Sequence, residues 1–114
     1  MREYNEEELE NFLKKIDSYL EKPAEIIIVG GTAAILAYHI SDATQDIDTW
    51  NNIDAVKEAY EKAKKETGYD IPLSRTIVAD PPYQFEDRLK LYSPKKFKKL
   101  KVKVPEVIDL ILQK

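Results

Sequence analysis

The amino-acid sequence predicts an α/β fold in which a small mixed β-sheet is flanked by helices. Short β-branched or alternating segments are interspersed with longer segments of helical periodicity, which is typical of that class. Residues 26–29 form a continuous β-branched run, as expected for a strand that is covered on both faces. The predicted strands lie near residues 25–29, 45–50, 74–79 and 97–104.

Composition favours one folded domain. The 114 residues are enough for a single modest core, so one domain is expected over residues 1–114. The absence of cysteine excludes disulfides and thiolate metal sites and fits a reducing cytosol. The net charge of −3 provides no global basic field for nucleic acids, and no apolar run reaches the roughly 20 residues of a membrane span. We therefore expect a cytoplasmic protein that does not enter a membrane.

A first helix is predicted from about Glu6 to Glu21. Asn5 is a suitable N-cap residue, and Glu8 three residues later completes the pattern of a capping box. Apolar residues then recur at helical spacing until Pro23 ends the segment. They are Leu9, Phe12, Leu13, Ile16 and Leu20. This stripe predicts a helix that covers one face of the sheet, and the alternative is a surface that binds a partner.

A diglycine follows the first predicted strand directly. Gly30 and Gly31 allow a sharp turn and the close approach of a ligand, because neither carries a Cβ atom. Residues 32–38 are apolar nearly all round, which predicts a buried helix. Its N-terminus would present free N–H groups and the positive end of the helix dipole, an arrangement that suits phosphate.

The next predicted strand, from Thr44 to Trp50, carries two aspartates one residue apart. Side chains alternate along a strand, so Asp46 and Asp48 are expected to point the same way while Ile47 points into the core. Neighbouring carboxylates repel each other unless a cation lies between them. Hard oxygen ligands of this kind suit Mg²⁺ or Mn²⁺.

A third helix is expected from about Ile53 to Thr67. Asn51 or Asn52 would cap it, and Gly68 is a natural C′ residue. Its inward stripe would consist of Val56, Ala59, Tyr60 and Ala63.

A third strand is predicted over residues 74–79. The run Asp80-Pro81-Pro82 would end it, because proline cannot continue a β-ladder. A short turn or helix is expected over residues 83–89.

The last strand is rich in lysine. Leu100, Val102 and Val104 would share one face, and the lysines between them the other. Six lysines lie between Lys95 and Lys103. They are interpreted as protection of a sheet edge against aggregation, or as a local basic patch for triphosphate, RNA or an acidic partner.

A final helix is expected to open at Pro105, the first helical position. Its apolar residues would dock on the sheet or on another subunit, so a homo-oligomer formed through this helix is one expectation.

The order of these features carries a family resemblance. Gly30-Gly31, a gap of 14 residues and Asp46-Ile47-Asp48 resemble the signature of the polymerase-β-type nucleotidyltransferase superfamily. The stretch from Ile26 to Trp50 is most similar to small prokaryotic nucleotidyltransferase-like domains, including toxins of the abortive-infection type. Similar proteins usually continue into further helices, so the resemblance implies a domain that lacks those C-terminal helices.

The resemblance implies a metal-dependent transfer reaction. Asp46 and Asp48 would hold Mg²⁺ or Mn²⁺ ions against the triphosphate of a nucleoside triphosphate such as ATP. Gly30, Gly31 and Thr32 would contact its β- and γ-phosphates through backbone N–H groups, with the Thr32 hydroxyl as a further contact. The nucleoside monophosphate would pass to a hydroxyl of a protein or RNA, and the protein would act with a cognate toxin or antitoxin in phage defence.

Activity in the similar family also depends on a third acid on the following strand. The predicted strand over residues 74–79 contains none. Asp80 is the best candidate, Glu86 and Asp87 are weaker ones, and Asp80 as a turn residue is the alternative. Without a third acid, the resemblance implies an inactive domain that binds a partner as an antitoxin or subunit. Alternatively, the further C-terminal helices would complete the site.

Other candidate residues have plain structural alternatives. Arg75 is a candidate for a phosphate contact, and the alternative is a solvent-facing strand residue. Arg88 is a candidate for a phosphate or substrate contact, and the alternative is an ordinary ion pair. Trp50 is a candidate for stacking on a base, against packing at the rim of the core. His39, the only histidine, is interpreted as a helix-end or exposed residue. The diglycine is neither a P-loop nor a dinucleotide fingerprint, because the further glycines and the lysine are absent.

Overall fold

The computed structural model describes residues 3–39, 43–50, 53–75, 89–92 and 97–105. Within these ranges the helices are α1 (Glu6–Tyr19), α2 (Gly30–Tyr38) and α3 (Lys57–Thr67). The strands are β1 (Tyr4–Asn5), β2 (Ala24–Val29), β3 (Ala43–Thr44), β4 (Ile47–Thr49), β5 (Leu73–Arg75), β6 (Lys90–Tyr92) and β7 (Leu100–Val104).

A mixed sheet organises the described part of the chain, with strand order β5-β4-β2-β7-β6. Strand β2 is antiparallel to β4 and parallel to β7, while β4 and β5 are parallel. This confirms the predicted α/β class. The sequence did not predict β6, nor the separate antiparallel pair formed by β1 and β3.

The two faces of the sheet differ in what they contact. Ile26 and Ile28 of β2 belong to the main core, which also contains the buried stripes of all three described helices. The alternate residues of β2, Ile27 and Val29, form a separate small cluster with Trp50 and Leu89. Because side chains alternate along a strand, the helices lie on one face and this small cluster marks the other.

Helix α1 forms as predicted. Asn5 and Glu8 make both hydrogen bonds of the capping box, at 2.9 and 3.1 Å. The whole predicted stripe is buried. The helix ends at Tyr19, two residues earlier than expected, and Leu20 already has extended backbone angles.

The last turn of α1 also fixes the start of β7. Asp17 is 7% exposed, and its carboxylate accepts hydrogen bonds from the backbone N–H groups of Lys98, Lys99 and Leu100 at 2.7–3.1 Å. Burial alone would raise the pKa of Asp17, but these N–H groups outweigh burial and hold the pKa below its usual value. Asp17 therefore joins two elements that are distant in sequence.

Helix α3 begins later than predicted. Residues 54–56 form a turn, in which the N–H of Val56 donates to the carbonyl of Ile53, and the helix starts at Lys57. The predicted inward stripe of this segment is buried. Gly68 ends the helix in the left-handed conformation, with φ of +74°, as expected for a glycine there.

Strand β7 lies inside the sheet, so the interpretation of its lysines as edge protection is wrong. It pairs with β2 on one side and with β6 on the other. The predicted alternation is confirmed, because Leu100, Val102 and Val104 are buried while Lys101 is exposed. Among the described residues, β6 forms this edge of the sheet.

Several predictions fall outside the described residues. These are the caps Asn51 and Asn52, residues 76–79 of the third strand, the segment 80–88, Lys95 and the final helix after Pro105. No helix within the described ranges combines the length and apolarity that crossing a membrane requires.

Candidate functional site

The candidate site lies where β2 passes directly into α2. Gly30 and Gly31 are the first two residues of the helix, rather than a separate turn before it. Val29 occupies the N-cap position and makes no side-chain capping bond. The first N–H groups of a helix have no partner within the helix. This helix end therefore offers backbone donors and a positive dipole end to an anion.

The two glycines are required for different reasons. Gly30 has φ of +68°, and a Cβ atom there would stand 3.4 Å from Oδ2 of Asp48. Gly31 lies against Thr44, whose Oγ1 would be only 2.9 Å from a Cβ atom. Gly30 is thus required for its backbone angle and lies in contact range of the Asp48 carboxylate, whereas Gly31 permits the contact with β3.

Asp48 lies on the face of the sheet opposite the helices. Ile47 and Thr49 on either side of it are fully buried, and Asp48 pairs in register with Val29. Burial raises the pKa of Asp48, and the negative charge of Asp46 raises it further. The two carboxylates are therefore close enough to repel each other, although Asp46 lies between β3 and β4 rather than in one strand with Asp48, as had been predicted.

Asp46 is held in place through its backbone. The hydroxyl of Thr32 donates to the Asp46 carbonyl at 2.7 Å, and Thr32 is only 1% exposed. The resemblance implied that the Thr32 hydroxyl contacts phosphate. In the structure this hydroxyl is buried and holds the backbone of Asp46 against α2. A phosphate contact through the backbone N–H of Thr32 stays a prediction.

Ser74 is a site residue that the sequence did not reveal. It stands opposite Asp48 in the parallel pairing of β4 with β5, and its hydroxyl hydrogen-bonds the Asp48 carboxylate, which opposes the rise in the pKa of that group. Only the strand register identifies Ser74, because nothing in its local sequence distinguishes it from other strand serines.

The third acid is not found within the described ranges. Across those residues, no group of three His, Asp or Glu side chains could hold a metal ion. Asp80, Glu86, Asp87 and Arg88 lie outside them.

The remaining candidates lie away from the two carboxylates or have structural contacts. Arg75 is exposed and pairs in register with Thr49. Trp50 packs against the cluster of Ile27 and Val29, which favours the packing alternative over base stacking. His39 caps the opposite end of α2, and its Nδ1 lies 2.7 Å from Glu6.

The donor set fits a hard divalent cation. Asp48 is a carboxylate whose proton affinity is raised by burial and by the charge of Asp46, so a positive charge placed between the two would relieve the repulsion. Mg²⁺ commonly uses only one or two protein carboxylates and takes its other ligands from substrate phosphates and water. The helix N-terminus at Gly30 would lie next to such a phosphate group.

The α/β fold, with two neighbouring carboxylates beside the N-terminus of a helix that starts at a diglycine, is that of a nucleotidyltransferase-like domain. The chain belongs to the family described as nucleotidyltransferase of unknown function (DUF6036), which it matches over residues 7–114. No curated protein and no solved structure is similar enough to be matched with it.

Proposed function

We propose that the protein is a metal-dependent nucleotidyltransferase that moves a nucleoside monophosphate from a nucleoside triphosphate to a hydroxyl of a protein or RNA. The observation that supports this most is the position of the Asp48 carboxylate over Gly30, with Asp46 beside it. This arrangement joins an acidic cation site to a helix N-terminus that suits phosphate.

Each part of the site has a role in the proposed reaction. Asp46 and Asp48 would hold Mg²⁺ or Mn²⁺, which supplies a positive charge beside the phosphates and the attacking oxygen. The N–H groups at Gly30 and Gly31 would bind the β- and γ-phosphates. The acceptor hydroxyl would give its proton to water, and its oxygen would form a bond to the α-phosphorus. The bond from the α-phosphorus to the bridging oxygen would break, and pyrophosphate would leave.

The sequence resemblance alone extends the proposal to the setting of the protein. We place it in the cytoplasm, acting with a cognate toxin or antitoxin or as part of phage defence. The absence of cysteine is compatible with that compartment.

A labelling experiment tests the enzymatic proposal. The protein is incubated with Mg²⁺ or Mn²⁺, each α-labelled nucleoside triphosphate, total RNA and cell lysate. Transfer of label that is lost in Asp48→Asn supports the proposal. The matched control is Asp70→Asn, because Asp70 is an exposed carboxylate on the segment before β5, where it pairs with Lys64, and its replacement changes the charge equally.

A second candidate function is an inactive domain that binds a partner. The observation in its favour is Ser74, a hydroxyl residue at the position on β5 that faces Asp48. If no nucleotide is transferred and nucleotide with Mg²⁺ leaves the melting temperature unchanged, the partner-binding function is the better explanation. If Asp80→Asn abolishes transfer, that residue supplies the third acid and the enzymatic function stands.

A further inference from the structure

A basic cleft lies at the end of the sheet remote from the two aspartates. It has a volume of about 450 Å³ and is bounded by β6, the start of β7 and the start of β2. From Glu25, which lines this cleft, to Gly30 at the candidate site the chain spans about 17 Å along β2. The cleft is therefore separate from the site proposed for nucleotide.

Lysines give the cleft its charge. Lys98, Lys99 and Lys101 line it and are exposed. The one acid in the lining, Glu25, is engaged by Lys103 at 2.9 Å. Within the described residues, no carboxylate forms an ion pair with Lys98 or Lys101. The cleft is thus positively charged on a chain whose net charge is −3.

The cleft also carries an apolar contact point. Leu91 of β6 lines it and is 54% exposed, which no other large hydrophobic residue in the described ranges matches. A single exposed apolar side chain is ordinary on a protein surface, but Leu91 lies within a cleft beside charged residues, where it can contact an apolar side chain of a partner.

The outer edge of β6 is open in the described structure. Strand β6 pairs with β7, and no described residue pairs with its other side. An open strand edge can accept an extended peptide, whose main chain then adds a strand to the sheet.

We propose that this cleft binds an extended acidic segment of a partner protein. The segment adds a strand along β6, places an apolar side chain on Leu91 and sets its carboxylates against Lys98 and Lys101. Its carboxylates match the lysines, its apolar side chain matches Leu91, and its main chain matches the unpaired edge of β6.

Nucleic acid fits the same surface less well. The aromatic residues of the cleft, Tyr92 and Phe97, pack against the core, with ring centroids 6.4 Å apart in an edge-to-face arrangement. They therefore present little free ring surface for base stacking. Among the described residues that line the cleft there is no arginine, the residue that is best suited to paired contacts with phosphate.

Peptide binding by the full chain tests the proposal. The probe is a fluorescent peptide with the repeat Val-Ser-Glu-Ser, which puts Val and Glu on one face of an added strand, measured by anisotropy without nucleotide or divalent cation. A Lys and Val peptide and a uridylate oligonucleotide serve as comparison probes. We expect the acidic peptide to bind, the Lys and Val peptide not to bind, and the affinity for the acidic peptide to fall with salt.

Charge-matched variants localise the binding. The double variant Lys98→Glu/Lys101→Glu should weaken binding roughly tenfold or more. Lys57→Glu/Lys65→Glu makes the same change in net charge on exposed positions of α3 and should bind like the wild type. Leu91→Gln leaves all charges in place and should weaken binding about fivefold. This third variant matters because Lys98 also lies near Asp17.

Three results would overturn the proposal. Equal loss in both double variants would show that only the overall charge acts. Binding of the uridylate oligonucleotide but not of the acidic peptide would assign the cleft to nucleic acid. Self-association of the chain that Lys98→Glu/Lys101→Glu abolishes would assign it to a second copy. None of these measurements depends on nucleotide transfer, so this proposal and the proposed enzymatic function can fail separately.

Discussion

The carboxylate of Asp48 lies against the backbone of Gly30, at a place where a Cβ atom on that glycine would be 3.4 Å from Oδ2. A strand acid and the first residue of a helix thus share one small space. The helix end suits an anion and the carboxylates suit a cation, so a cation-bound phosphate satisfies both. This relationship underlies the proposed enzymatic function and three of the predictions below.

Replacing Gly30 should damage the site more than the fold. Gly30→Ala must hold φ of +68°, so we expect a loss of roughly 1–2 kcal/mol in the free energy of unfolding, while the new Cβ atom would come into contact with Asp48 at 3.4 Å. Gly68→Ala is the matched control, because Gly68 has φ of +74° with nothing within 4 Å of a new Cβ atom. The two variants should lose similar stability in denaturant unfolding. Only Gly30→Ala should lose the thermal stabilisation produced by Mg²⁺ with nucleotide. If both variants lose this stabilisation equally, Gly30 has no particular role in the site.

Asp48→Asn should raise the stability of the metal-free protein at neutral pH. Because burial and Asp46 raise the pKa of Asp48, the folded state binds its proton more tightly than the unfolded state does. The contribution of Asp48 to stability is therefore present at low pH and is lost as the pH rises through the raised pKa. Asp48→Asn removes the negative charge, so the variant does not lose this stability at neutral pH. Melting temperatures from pH 4 to pH 8 check the sign, and a lower melting temperature for Asp48→Asn at pH 7 would contradict it.

The same substitution should reverse its effect once a cation is present. Mg²⁺ or Mn²⁺ should stabilise the wild type, since a ligand that binds only the folded state raises its stability. Asp48→Asn should lose most of this gain, whereas Asp70→Asn should keep it. Stabilisation that persists in Asp48→Asn would place the cation elsewhere.

The sequence predicted those parts of the fold that local patterns determine. The capping box at Asn5, the β-branched run of β2 and the glycine after α3 each act within a few residues, and each is confirmed. The proximity of Asp46 to Asp48 was also expected, but the single strand predicted from Thr44 to Trp50 was wrong, because β4 covers only Ile47–Thr49 and Asp46 lies just before it.

Long-range pairing accounts for most of what could not be predicted. The edge position expected for the lysine-rich strand was wrong, because the pattern of β7 cannot show that β6 pairs beside it. Ser74 reaches Asp48 only through the register of two strands that are distant in sequence. Asp17 looked like an ordinary helix residue, and its role depends on three N–H groups more than 80 positions away.

Thr32→Val should weaken the attachment of the Asp46 backbone to α2. Valine keeps the shape of threonine but removes the hydroxyl that donates to the Asp46 carbonyl at 2.7 Å. Leaving that partly buried carbonyl without its donor should cost about 1–2 kcal/mol in the free energy of unfolding. Thr32→Ser, which keeps the hydroxyl, should retain more of the affinity for Mn²⁺ than Thr32→Val does. Equal Mn²⁺ affinity in the two variants, measured by calorimetry, would show that this hydrogen bond does not position the site.

Asp17→Asn should destabilise the protein and change its response to acid. Burial opposes the charge of Asp17, but the N–H groups of Lys98, Lys99 and Leu100 stabilise it and lower its pKa below the ordinary value of 3.8. The stability from this carboxylate is therefore fully present above that value and is lost as the pH falls through the lowered pKa. Asparagine has one acceptor oxygen in place of two and no charge, so we expect a loss of about 2 kcal/mol at pH 7. Denaturant unfolding at pH 7 and near pH 3 checks both points, because the difference between the wild type and Asp17→Asn should shrink in acid. A difference that is independent of pH would mean that the shape of the side chain, and not its charge, joins α1 to β7.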